Sequence, residues 1–174
     1  MFLLDFPGTW GILRGKWEKV GGNGGNGVFL GTFHHSLDSK GRLSIPVKFR
    51  EILNTESNGT IIMTTDLDLC LAAYPMNEWQ SFMEKARKLP TMDKGVKRFF
   101  RFLFSSASEC FLDRQGRVLI PLNLREYAGL NGNAVVVGGG SKFEVWNPGK
   151  WEENEVLVSE NAPQIQGALA KLGM

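Results

Sequence analysis

Residues 38–42 read Asp-Ser-Lys-Gly-Arg, and residues 113–117 read Asp-Arg-Gln-Gly-Arg. The flanks repeat with them. Residues 37–53 and 112–128 align without a gap, and eight of the seventeen positions are identical: Leu, Asp, Gly, Arg, Ile, Pro, Arg and Glu. Unrelated segments of average composition would share roughly one. Two copies of one unit, 75 positions apart, therefore constrain the fold before any other feature is considered.

The repeated core has a local physical meaning. Asp-x-x-Gly-Arg between two β-type runs reads as a hairpin turn. Asp38 and Asp113 are placed to accept a backbone N–H two residues on. Gly41 and Gly116 supply the positive φ that the turn needs. A turn makes no such demand for Arg42 and Arg117. Either each arginine pairs with its neighbouring aspartate, worth about 0–1 kcal/mol if exposed, or it points outward to grip a phosphate or a guanine edge. Lys40 stands at the tip of the first turn, where the second has Gln115 beside Arg114. The first turn is thus the more basic one and the better candidate for contact.

Around these turns the chain reads as an α+β protein: a mixed, β-barrel-like domain of two tandem β-β-α-β-β-α repeats. In the first, residues 28–38 and 42–45 are strands, Pro46 opens a helix over 47–53, and two more strands lead to a helix starting at Pro75. Trp79, Phe82, Met83 and Ala86 make one helical stripe there, read as core. The second copy repeats the order, with a helix over 121–127 and strands on either side of Gly138, Gly139 and Gly140. We divide the chain into a leader (1–27), a first repeat (28–89), a joining helix (90–107), a second repeat (108–151) and an acidic tail (152–174), helical around 165–172. In the joining helix Val96, Phe99, Phe100 and Leu103 form a stripe and Phe102 and Phe104 lie off it. A helix apolar over more than half its circumference wants two partners, which points to oligomerisation.

Composition narrows the function. Net charge is +2, so the protein is not a globally basic nucleic-acid binder, but residues 85–101 carry +6 and residues 38–50 carry +3, against −3 over 144–174. A near-neutral chain can present one basic face. No apolar run reaches the length of a membrane span, and nothing reads as a secretory signal. Cys70 and Cys110 have no metal-type spacing and are read as buried free thiols. The two histidines, His34 and His35, are adjacent on one strand and so face opposite ways, one packed and one exposed.

The leader stands apart. Residues 21–27 are Gly and Asn only and behave as a linker; with no Gly-Lys-Ser/Thr after them they are no phosphate loop. Such codons spell a purine-rich, ribosome-binding-like stretch, and Val28 is readable as a GUG start. We therefore expect residues 1–27 to be an untranslated leader, which an intact Met1 end on native protein would overturn.

From residue 28 to about residue 151 the sequence resembles the MraZ family. The segments that carry this are residues 29–51, 69–79, 101–121 and 143–151, with the signature Asp-x-x-x-Arg at Asp38/Arg42 and Asp113/Arg117. Family members look like two fused copies of an AbrB-type swapped-hairpin unit, and usually begin at residues like Val28-Phe29-Leu30-Gly31. The resemblance implies a cytoplasmic, nucleoid-associated transcriptional regulator. It would be a ring of identical subunits that binds short direct repeats of double-stranded DNA before a cell-division and cell-wall gene cluster containing its own gene. It implies DNA contact by Lys40 and Arg42, with Arg117 and Arg114 as second-copy counterparts, and turn support by Asp38, Gly41, Asp113 and Gly116. No metal, organic cofactor, membrane or small-molecule substrate is implied. Two other readings stand beside this one: a ring-forming scaffold with incidental DNA binding, and a small enzyme on a double-psi-like barrel. The enzyme reading lacks a nucleophile–base pair or paired carboxylates.

Overall fold

The computed structural model describes residues 27–89 and 93–173. The leader, Gly27 apart, and residues 90–92 of the joining segment lie outside these. Two matching runs of elements emerge. The first holds β1 (Thr32–Ser36), β2 (Arg42–Ser44), α1 (Val47–Ser57), β3 (Thr60–Thr65), β4 (Leu71–Pro75) and α2 (Met76–Arg87). Helix α3 (Lys94–Ser106) joins it to β5 (Ser108–Phe111), β6 (Arg117–Leu119), α4 (Leu122–Ala128), β7 (Asn133–Gly138), β8 (Phe143–Trp146) and α5 (Pro148–Glu160), after which comes α6 (Ala162–Lys171). Prolines set the helix starts. Pro46, Pro75 and Pro121 are the N-cap residues of α1, α2 and α4, with extended ψ of 140°, 153° and 146° that brings the chain out of a strand and into a helix.

The copies are not separate bodies. Six strands pair antiparallel in the order β1-β7-β8-β4-β3-β5, and β2 pairs β6 in a ribbon of its own. Exchanging each strand for its counterpart in the other copy reverses that order onto itself. The fold therefore has an approximate twofold axis between β4 and β8 and between β2 and β6. The first strand of each copy adds to the third strand of the other: Phe33 opposes Val136, and Cys110 opposes Ile61. This corrects the local hairpin expected of the first two strands of each copy, whereas β3–β4 and β7–β8 do pair within their copies. Between the first two strands only one bridge survives, Leu37 with Leu43 and Leu112 with Val118, before they part to other partners. Alternation in sequence fixes which face of a strand is apolar, and any antiparallel partner satisfies it equally.

One core serves both copies. Phe29, Leu43, Phe49, Ile61 and Leu71 pack with Val118, Ile120, Leu124, Val136, Phe143 and Val145. The Phe49 ring lies 5.0 Å from Phe29 and 5.5 Å from Phe143. Among the described residues the ladders stop at β1 and β5. The core is thus held between a six-stranded sheet and the β2–β6 ribbon, which single bridges, Leu37 with Leu43 and Leu112 with Val118, tie to the two edges of the sheet. Cys70 and Cys110 are buried free thiols. Burial pushes the Cys110 thiol up to about 11 and raises Cys70 as well, so neither is a ready nucleophile.

The α2 stripe is not core, contrary to expectation: α2 has no buried residue. Trp79 and Phe82 pack instead against Phe104 and Phe100 of α3. The aromatic pairs of the joining helix thus serve the chain's own fold first. Leu103 is buried, and Phe102 lies 5.8 Å from the Tyr127 ring.

Candidate nucleic-acid interface

Each repeated turn is closed by its aspartate. Asp38 Oδ1 accepts the N–H groups of Lys40 and Arg42 at 2.9 and 3.0 Å, and Asp113 Oδ1 accepts those of Gln115 and Arg117, both at 2.9 Å. Gly41 and Gly116 donate to the carbonyls of Asp38 and Asp113 at 2.9 Å, with φ of +78° and +73°. Only glycine takes that φ without strain.

Of the two readings open for the arginines, pairing with the neighbouring aspartate is the one observed, so the turn does use them. Arg42 places Nε and Nη2 on Asp38 Oδ2, both at 2.7 Å. Arg117 does the same to Asp113 Oδ2, at 2.9 and 2.7 Å. The hydrogen bonds from Arg42 hold the Asp38 carboxyl down at about 2, and those from Arg117 lower Asp113 likewise. These pairs remain at the surface: about a third of the Asp38 and Arg42 side chains and a quarter of Arg117 stay accessible.

The β2–β6 ribbon brings the two turns onto one surface. Leu43 and Val118 point to the core with no exposure, so Arg42, Ser44, Arg117 and Leu119 occupy the outer face. Arg42 stands opposite Leu119, and Ser44 opposite Arg117. Arg117 Nη1 reaches to 3.5 Å from Asp38 Oδ2, so the ion pairs run Arg42–Asp38–Arg117–Asp113 across the approximate dyad. Lys40 and Arg114 sit at the exposed turn tips, where neither has an ion pair among the described residues. The surface holds four cations against two carboxylates.

Two further residues belong here. Arg50 and Arg125, the second arginine of each repeat, lie over Gly116 and Gly41, each against the other copy's turn. The alignment contained the signal, since this arginine is identical in both copies, but local sequence gives it no role. Glu51 and Asn54 line a polar groove with Arg50, Asp113 and Arg114.

The histidines lie on the edge strand β1, His34 exposed and His35 half-buried. Burial, with the nearby Arg50 charge and His34, keeps His35 below its ordinary value. Among the described residues, no three His, Cys, Asp or Glu side chains converge as metal ligands would, and no helix is long and apolar enough to cross a membrane.

A second surface is apolar. Met83, Ala86 and Leu89 face Val96, Phe99 and Phe100 across a groove between α2 and α3, rimmed by Lys85, Arg87, Lys97 and Arg101. On α5, Val156 and Leu157 are more than half exposed beside Glu152 and Glu153.

A family model described as "MraZ protein, putative antitoxin-like" matches twice in succession, over residues 28–102 and 103–164. A protein named "Transcriptional regulator MraZ" from Syntrophomonas wolfei is 43% identical over 147 residues, 84% of this chain and all of the relative. The relative of that name from Acetivibrio thermocellus is 44% identical over the same length and coverage. That from Moorella thermoacetica is 48% identical over 145 residues, 83% of this chain and 96% of its own.

Proposed function

The chain belongs to the MraZ family, and from that premise we propose that it regulates transcription by setting the β2–β6 face, with Lys40, Arg42, Arg114 and Arg117, against double-stranded DNA. The observation that carries this is the chain of ion pairs joining both repeated turns on one exposed ribbon. An arginine fork held along one edge by a carboxylate keeps its free N–H groups in a fixed direction and loses less entropy on contact. The same carboxylates cancel part of the charge. One protomer then binds weakly, in the 10⁻⁴–10⁻⁶ M range of non-specific contacts, and needs repetition. A ring of identical subunits meeting successive short direct repeats gains about 10²–10⁴ in avidity. The target we infer is the promoter of the cell-division and cell-wall cluster that holds the chain's own gene, which makes the protein cytoplasmic and nucleoid-associated.

Ring assembly is supported by complementary faces. The α2–α3 groove is apolar with a cationic rim, while α5 is acidic with Val156 and Leu157 exposed. The occupant we assign to the groove is α5 of the next copy.

Fluorescence anisotropy with the DNA upstream of the gene, over a salt series, tests the DNA reading. Arg42→Ala is expected to cost about 1–3 kcal/mol per site and to relax sequence preference; Lys40→Ala is expected to lower the salt slope by about one. Equal affinity of the wild type for the upstream DNA and a shuffled duplex would sink the proposal.

A further inference from the structure

We propose that Arg125 and Arg50 are positioning residues, each fixing the DNA-facing turn of the opposite copy. This rests on the reading that the turns meet DNA, and adds that each contact loop, closed by its own aspartate, is held in place by the other copy.

The lock on the first turn is a relay of three residues. The Gly41 carbonyl accepts the Ile120 N–H at 3.0 Å. The Ile120 carbonyl in turn accepts Nε of Arg125 at 3.0 Å. The guanidinium then lies over Gly41, so close that a Cβ there would stand 2.6 Å from its Nε and Cζ. Glycine is needed twice over at this position, for its φ and for the room it leaves. The second turn repeats the scheme: the Gly116 carbonyl accepts the Ile45 N–H at 3.0 Å, and a Cβ on Gly116 would overlap Arg50. Here the relay is short of one bond, because Nε of Arg50 is buried without a partner. The turn that carries Lys40 is therefore the better held. Both arginines sit four residues after the proline that starts their helix. That spacing brings the side chain back one helical turn toward the strand end, where the other copy's glycine lies.

Hydrogen exchange on the full chain separates this from general stabilisation. Arg125→Met, which keeps the apolar stem, is expected to speed exchange of the Arg42 amide about fivefold, as for loss of one hydrogen bond, and to leave Arg117 unchanged. Arg50→Met is expected to act on the Arg117 amide, by less, and not on Arg42. In anisotropy with the upstream duplex, Arg125→Met should weaken binding several-fold at an unchanged salt slope, whereas a direct phosphate contact lowers the slope by about one. Exchange that rises in the mutated copy's own turn, or evenly along the chain, overturns the crossed lock; so does a fall in slope for Arg125→Met. If the wild type ignores the duplex, the proposed function fails, and the exchange pattern still decides whether the lock exists.

Discussion

Asp38 serves two arginines where Asp113 serves one, and that asymmetry is measurable. Arg42 bonds it through Nε and Nη2, and Arg117 approaches from across the dyad. Its folded carboxyl value is about 2, below the ordinary value, because the side-chain and backbone donors of Arg42, with the Lys40 N–H, favour the charged form. The ion pair's contribution is therefore full above the ordinary carboxylate range and is lost as pH falls through about 2. Carboxyl carbon chemical shifts followed by NMR should show Asp38 still ionised at pH 3; an Asp38 midpoint near 4, that of a free aspartate, would mean that the clamp does not form in solution. The sequence displayed every residue of this network, because the repeat picks them out twice. It did not say how they divide the work. Turn chemistry alone explains Asp38 and Gly41, and a residue whose role lies in another copy's loop, as with Arg125, has no local signature.

Helix α3 illustrates how an element is fastened by groups that sequence patterns leave out. Its apolar stripe was legible, and Leu103 is buried as the stripe requires. What fixes its C-terminal turn on β3 is polar. The Thr64 hydroxyl, fully buried, donates to the Leu103 carbonyl at 2.5 Å, and the Ser106 hydroxyl lies 3.0 and 2.7 Å from the hydroxyls of Thr64 and Thr65. Threonine in a strand reads as a β-former, so nothing in the sequence marked these two as partners of helix residues 39 to 42 positions away. Thr64→Val keeps the shape and removes the donor, leaving the Leu103 carbonyl only its longer bond from Ser106 Oγ and costing Ser106 one of its hydroxyl partners. It is expected to lower stability by about 1–3 kcal/mol in urea unfolding, with Thr64→Ser close to wild type. A neutral Thr64→Val would show that water takes over these bonds. The strands themselves were the most legible elements. Their pairing was not legible from strand patterns, since β1 adds to β7 instead of β2; the duplication and the resemblance to a swapped-hairpin unit were what pointed to such an exchange.

For the molecule as a whole, the approximate dyad is broken at its surface, and the break gives assembly a direction. The twofold arrangement of the core would allow a self-complementary contact, but the two ends differ in chemistry. Alongside α2 the chain places α3, making an apolar groove with Lys85, Arg87, Lys97 and Arg101 around it. Among the described residues α5 has no counterpart of α3 and runs on into α6; Val156 and Leu157 stay exposed beside Glu152 and Glu153. A contact between unlike faces is heterologous, and it either closes into a ring or runs on. Each interface then uses one groove and one α5, which makes blocked copies informative. Phe99→Asp spoils the groove and leaves α5 intact; Leu157→Asp spoils α5 and leaves the groove. Both side chains are exposed enough, at 38% and 56%, to be changed without opening the core. By mass photometry, wild type should form higher oligomers and each variant alone should be monomeric. An equimolar mixture should stop at one-to-one dimers, because its single intact interface leaves no free pair of faces to extend. Were the contact groove to groove, Leu157→Asp would still assemble and the mixture would gain nothing over it, and the directional ring would have to be abandoned.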